Sequence, residues 1–116
     1  GVEYSFDWPD VVVVSGTQMS GELNPGSSFG VGVDFAAPAA GIYAPSRGGF
    51  YTSYSGNSFA GPQVAGVAAL AWSMDPSLSP TQILRALELS AEDVGPSGRD
   101  SRTGFGIVDA AGAVRL

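Results

Sequence analysis

Within Ser55-Gly56-Asn57-Ser58-Phe59-Ala60-Gly61-Pro62 a serine stands where a strand-like segment gives way to a helix. That position suits nucleophilic attack on a carbonyl. Gly56, Ala60 and Gly61 are small enough to let a substrate carbonyl reach the Ser58 hydroxyl. Unpartnered N–H groups in the first turn of a helix can donate to an oxyanion. The helix dipole adds partial positive charge at the same end. Ser is equally a favoured N-cap, so on this segment alone both a nucleophile and a simple cap are open.

The elements that must position this serine can be read around it. Val11-Val12-Val13-Val14, closed by Ser15-Gly16, predicts a strand buried on both faces, the pattern of a parallel sheet. Gln18 to Gly30 is rich in Gly, Ser, Asn and Pro and predicts a surface loop. Val31 to Ala37 predicts a second strand stopped by Pro38, and Ile42-Tyr43-Ala44 with Phe50-Tyr51-Thr52 predicts a hairpin around Pro45 to Gly48. Ser58 to Met74 is Ala-rich and uncharged, which predicts a helix buried on every side. Ser79-Pro80-Thr81-Gln82 is a capping box that opens an amphipathic helix with Ile83, Leu84 and Leu87 on its apolar stripe. Asp109 caps a short final helix, Ala110 to Arg115.

The zeros in the composition narrow the chemistry. The 116 residues contain no Cys and no His, and all five basic residues are Arg, against eleven carboxylates and a net charge of -6. No thiolate, imidazole base, Ser/Lys dyad, Schiff base or phosphate-loop lysine can be built from these residues. An acidic surface repels phosphate backbones, so nucleic acid is not an expected partner. The longest nearly apolar run, Val64 to Met74, is too short for a membrane span. Gly1-Val2-Glu3-Tyr4 has no initiator Met, basic start or signal-like apolar region, which suggests a piece of something longer.

Other residues carry weaker signals. Asp34 and Asp7 offer two carboxylates for a cation, or simply solvated strand ends. Asp100, between Arg99 and Arg102, predicts a surface ion-pair cluster. Trp8, Tyr51 and Tyr54 are expected in the core rather than lining a cleft. Gly56-x-Ser58-x-Ala60 approaches a nucleophile elbow, but that fold needs a downstream His, which is absent.

The run Ser55 to Leu70 resembles the nucleophile segment of the subtilisin-like serine peptidases (subtilases, peptidase family S8), typically Ser-Gly-Thr-Ser-Met-Ala-x-Pro-His-Val-Ala-Gly. Asp34-Phe35-Ala36-Ala37-Pro38 is similar to that family's strand ending in Ala-Pro. Trp8-Pro9-Asp10-Val11-Val12-Val13-Val14 is similar to its Tyr-Pro-x-Val-(Ile/Val)-x-Val strand. Asp75 to Ile83 and Gly104-Phe105-Gly106-Ile107-Val108-Asp109-Ala110 resemble its following helix start and closing segment. The matches run in family order along the whole chain.

The resemblance implies a three-layer α/β/α fold with a mostly parallel sheet, a β-hairpin and a buried central helix. Residues 1–116 would be the C-terminal portion of its catalytic domain. It implies that Ser58 is the nucleophile, its N–H one oxyanion donor, and Gly56, Asn57 and Ser58 the nucleophile loop. The family's Asp, His and oxyanion Asn segments lie upstream of this serine, and their motifs are not found here. The isolated chain is therefore expected to be inactive, and the rest of the domain to be needed in cis or in trans.

A peptide or protein is the expected substrate, no cofactor is needed for the chemistry, and structural calcium is an option for the whole domain. The family points to a secreted or extracytoplasmic location. Asn57 replaces the usual Thr, Phe59 the usual Met, and Gln63 a His that is not the catalytic one. Two other readings follow from those departures and from the serine motif: a non-catalytic subtilase-like structural or protein-binding module, and a Ser-Glu-Asp carboxyl peptidase (sedolisin-like).

Overall fold

A computed structural model describes residues 11–115. The starts of the first family-like strand, Trp8 to Asp10, and the candidates Asp7 and Trp8 lie outside the described residues. In chain order the elements are β1 (Val14–Thr17), β2 (Phe35–Pro38), β3 (Ile42–Ser46), β4 (Phe50–Tyr54), α1 (Ala60–Met74), α2 (Pro80–Ser90) and α3 (Ala110–Arg115). A 3-10 turn at Asn57–Phe59 leads directly into α1.

β1 and β2 pair in parallel, Val14 opposite Phe35 through Thr17 opposite Pro38. The sheet continues past β2 through single bridges. Ile107 lies parallel to Ala36 on one side and antiparallel to Glu92 on the other. β3 and β4 form the expected hairpin, with Ile42 opposite Tyr54 and Ser46 opposite Phe50. The mixture of parallel sheet, hairpin and packed helices agrees with the expected α/β class.

The strand pairing sits later in sequence than the valine run suggests. Val11 is exposed and Val12 to Val14 are half-buried, whereas Ser15, Gly16 and Thr17 are buried within β1. The reason is packing: α1 lies over β1 and β2, and small residues let it come close. A Cβ on Gly16 would lie 2.7 Å from Cβ of Ala39 and overlap the Asn57 side chain. Pro38 is likewise the last residue of β2 rather than a stop before it.

Thr17 is fully buried, and its hydroxyl has no hydrogen-bond partner among the described residues. Such an orphan is destabilising, so Thr17→Val is expected to raise stability by up to about 1 kcal/mol, read as a higher denaturant midpoint.

α1 departs from the expectation of burial all round. Ala60, Val64, Val67 and Ala71 form a buried stripe, while Leu70 is 52% and Met74 67% exposed. β1, β2, α2 and α3 pack on the buried stripe, and no described residue covers the opposite apolar face. α2 follows its local signals closely. Ser79 Oγ accepts from the Gln82 N–H at 3.2 Å while Gln82 Oε1 accepts from the Ser79 N–H at 2.8 Å, and Ile83 and Leu87 are buried. Asp109 Oδ1 accepts from the Gly112 N–H at 3.0 Å at the head of α3.

Asp100 does not form the expected ion-pair cluster. Burial pushes its carboxyl up, but N–H groups of Thr103 and Arg102, the Thr103 hydroxyl and the Arg102 charge outweigh this and hold it below the usual carboxylate range. It closes a tight turn, bonded backbone to backbone with Gly104 in both directions at 3.0 Å.

Candidate active site

The loop that carries Ser58 is pinned from several sides. The hairpin returns the chain to the end of β2, where the Gly56 N–H donates to the Ala39 carbonyl at 2.7 Å. Ser55 Oγ accepts from the Gly41 N–H at 3.2 Å across the hairpin mouth. The Phe59 ring stacks on Tyr54 with centroids 5.3 Å apart. The residue that replaces the family Met therefore braces the serine turn against β4.

Ser58 itself is held by none of these contacts. It is exposed, and its hydroxyl makes no hydrogen bond with a described residue. The helix that follows has Phe59 at its N-cap with no side-chain cap bond, and the 3-10 turn before it has none either. Capping is therefore not what this serine does. The first helical bonds run from the Phe59 N–H to the Gly56 carbonyl and from the Ala60 N–H to the Asn57 carbonyl. The N–H groups of Asn57 and Ser58 precede them and stand at the positive end of the 15-residue α1.

The Asn57 side chain is engaged with the loop before β2. Its Oδ1 accepts from Asn24 Nδ2 at 3.0 Å, and its Nδ2 donates to the Pro25 carbonyl at 3.4 Å. The side chain thus ties the serine turn to the Gln18–Gly30 loop. Gln63 is a second tie, and its role was not legible in the sequence. Its Nε2 donates to the Pro38 carbonyl at 2.6 Å and to the Phe59 carbonyl at 2.8 Å, clamping the first turn of α1 to the end of β2. The signal that could have found it is a long polar side chain in the first turn of an otherwise apolar helix. Gln63→Met is expected to cost about 1–3 kcal/mol, measured as a lower denaturant midpoint, because it leaves two carbonyls without these donors.

The lesser candidates divide differently. Tyr54 joins the site through Phe59, but Tyr51 is 60% exposed and stacks on Tyr43 across the hairpin rather than entering the core. Asp34 lies apart from Ser58: its Oδ2 accepts from the Val13 N–H at 2.9 Å and its Oδ1 faces Arg99 Nη2 at 3.3 Å. A carboxylate already neutralised by a guanidinium does not fit as a metal ligand. Among the described residues no group of three or more Asp and Glu side chains converges.

The model of the subtilase family matches residues 1–106. Alkaline elastase YaB of Bacillus sp. (strain YaB) is 34% identical over 108 residues, 93% of this chain and 28% of that protein. The halolysin-like extracellular serine protease Nep of Natrialba magadii is 36% identical over 113 residues, 97% of this chain and 20% of that protein. Among solved structures, the serine protease MycP1, an essential component of the type VII (ESX-1) secretion system, superposes with a TM-score of 0.86 at 31% identity. The match covers 93% of this chain and 32% of that one. The chain thus spans less than a third of each of these proteins. With the family model covering most of its length and the fold agreeing, the chain belongs to the subtilase family of serine peptidases.

Proposed function

We propose that these residues carry the nucleophile of a serine endopeptidase, with Ser58 as the attacking group. The observation that carries this reading is the uncommitted Ser58 hydroxyl, exposed in the turn from Gly56 to Ala60 at the positive end of α1, in a chain of the subtilase family. In the reaction, Ser58 Oγ forms a bond to the peptide carbonyl carbon as its proton passes to a base. The carbonyl electron pair moves onto oxygen, where the Ser58 N–H and the helix end stabilise it. Collapse of that intermediate, with the base returning its proton to the leaving nitrogen, expels the amine and leaves an acyl-enzyme on Ser58, which water then hydrolyses. None of these steps draws on a cofactor.

The base has no candidate of the usual kind in the 116 residues, which lack His. Residues 1–116 are therefore read as the C-terminal portion of the catalytic domain, completed by the rest of that domain in cis or in trans. The exposed apolar face of α1, with Leu70 and Met74 uncovered, supports this, since a central helix of such composition needs a second neighbour. A secreted location is proposed from relatives such as the extracellular protease of Natrialba magadii.

A fluorophosphonate probe tests the nucleophile. The intact protein is expected to be labelled on Ser58 and Ser58→Ala is expected to stay unlabelled; labelling of the Ala variant would falsify the assignment. Turnover of a chromogenic peptide by residues 1–116 alone, lost on Ser58→Ala, would instead overturn the need for a base from outside this chain.

A further inference from the structure

We propose that Asn24 is a positioning residue for the nucleophile turn, acting on the Ser58 N–H through the Asn57 side chain. The inference rests on the reading of Ser58 as the nucleophile. The N–H that stabilises the oxyanion in that reading belongs to the peptide between Asn57 and Ser58, so whatever holds Asn57 orients the donor. One side of the turn is held by the Gly56 N–H on the Ala39 carbonyl at 2.7 Å and by the Phe59 ring on Tyr54. Neither the 3-10 turn nor α1 has a side-chain cap bond to hold the other. There the Asn57 side chain is the tether, its Oδ1 accepting from Asn24 Nδ2 at 3.0 Å.

Asn24 can anchor the tether because its own place is fixed by β1. The Gly16 carbonyl accepts from the Asn24 N–H at 2.8 Å, and the Gly16 N–H donates to Ser27 Oγ at 2.9 Å. The Asn24 carbonyl accepts from the N–H of buried Ser27 at 3.0 Å, which closes the turn. Gly16 also makes room for the amide. A Cβ there would overlap Asn57 Oδ1 and lie 3.2 Å from Asn57 Cγ, so the side chain lies against the strand itself. Gly26, at φ +80°, also borders this slot: a Cβ on it would stand 3.8 Å from Asn57 Nδ2. A side chain confined in such a slot passes the position of the sheet on to the Asn57–Ser58 peptide. Asn57 stands where the family usually has Thr, and the longer amide reaches a partner 33 residues upstream. The bond is only half-buried, so its weight in overall stability is small. A donor displaced by about 1 Å, by contrast, can cost about 100-fold in rate.

The test uses the intact protein, with turnover of a chromogenic peptide measured first in wild type and in Ser58→Ala. Absence of Ser58-dependent turnover overturns the nucleophile reading and this inference together. Given that turnover, two variants are compared: Asn24→Ala, and the nearly isosteric Asn24→Asp, whose carboxylate cannot donate to Asn57 Oδ1. Both are expected to lower kcat by about 10- to 100-fold, with KM changed by less than about twofold. Inhibition by a peptide boronic acid, which forms a tetrahedral adduct on the serine, should weaken by a similar factor. Inhibition by the matching peptide amide should not change. The thermal midpoint should fall by no more than about 4 °C. In an Asn57→Ala background, Asn24→Ala should lower kcat by less than about twofold, because the path through Asn57 is already cut. Wild-type kcat in both Asn24 variants overturns the inference and leaves Ser58 as the nucleophile. Equal weakening of boronic acid and amide overturns it too, as does an undiminished Asn24→Ala effect without the Asn57 side chain. Loss of soluble protein in both variants also overturns it, since Asn24 would then serve folding rather than the donor.

Discussion

Ser58→Ala in the intact protein is expected to lower kcat for peptide hydrolysis by about 10⁶-fold, the size of effect that loss of this group has in subtilisin itself. KM should change little, because the hydroxyl contributes through the transition state rather than through substrate binding. Stability should be unchanged, since Ser58 is exposed and holds nothing else in place. This combination separates a nucleophile from a structural serine: a cap would cost about 1 kcal/mol of stability on removal. The measurement is kcat and KM with a chromogenic peptide, beside a denaturant melt of the same variant. Residual kcat within tenfold of wild type, or a clear loss of stability, would contradict the role.

The second large effect is on folding. Gly104 has φ +61°, in the left-handed region, and its Cα faces the Asp34 peptide. A methyl there would overlap the Asp34 carbonyl and lie 2.7 Å from the Val33 carbonyl oxygen. Both obstacles are backbone and cannot rotate away. Relief would displace Phe105, whose N–H donates to the Asp34 carbonyl at 2.8 Å, and with it the Gly106–Val108 segment that bonds Ala36. Gly104→Ala is therefore expected to cost about 3–5 kcal/mol or to abolish folding. Gly98→Ala is the control: its φ is +81° but no atom lies within 4 Å, so it should cost only about 1–2 kcal/mol. Soluble yield and denaturant midpoints decide the matter, and equal losses in the two variants would remove the steric argument.

The features that were legible in the residues alone depend on near neighbours. The Ser79–Gln82 box, the hairpin around Pro45 to Gly48 and the Asp109 cap each involve groups a few residues apart, and all three are present. The valine run at 11–14 was less informative, because apolar character speaks to burial and not to where pairing begins. Ladder pairing starts only at Val14, where β1 meets Phe35.

The sequence by itself determined the family, the Ser55 to Leu70 run that resembles the family's serine segment and the absence of any histidine among these residues. Those properties rest on residue identity and local spacing, which folding does not alter. Only the tertiary structure decided that Ser58 is no cap, that Asn57 turns to Asn24 and Pro25, and that one face alone of α1 is buried. It also decided that Arg99 bonds Asp34, 65 positions away, and not its neighbour Asp100. The physical reason is common to all four. Each depends on which distant groups close packing brings within about 3 Å, where hydrogen bonds and charge contacts form, and no local pattern encodes that meeting.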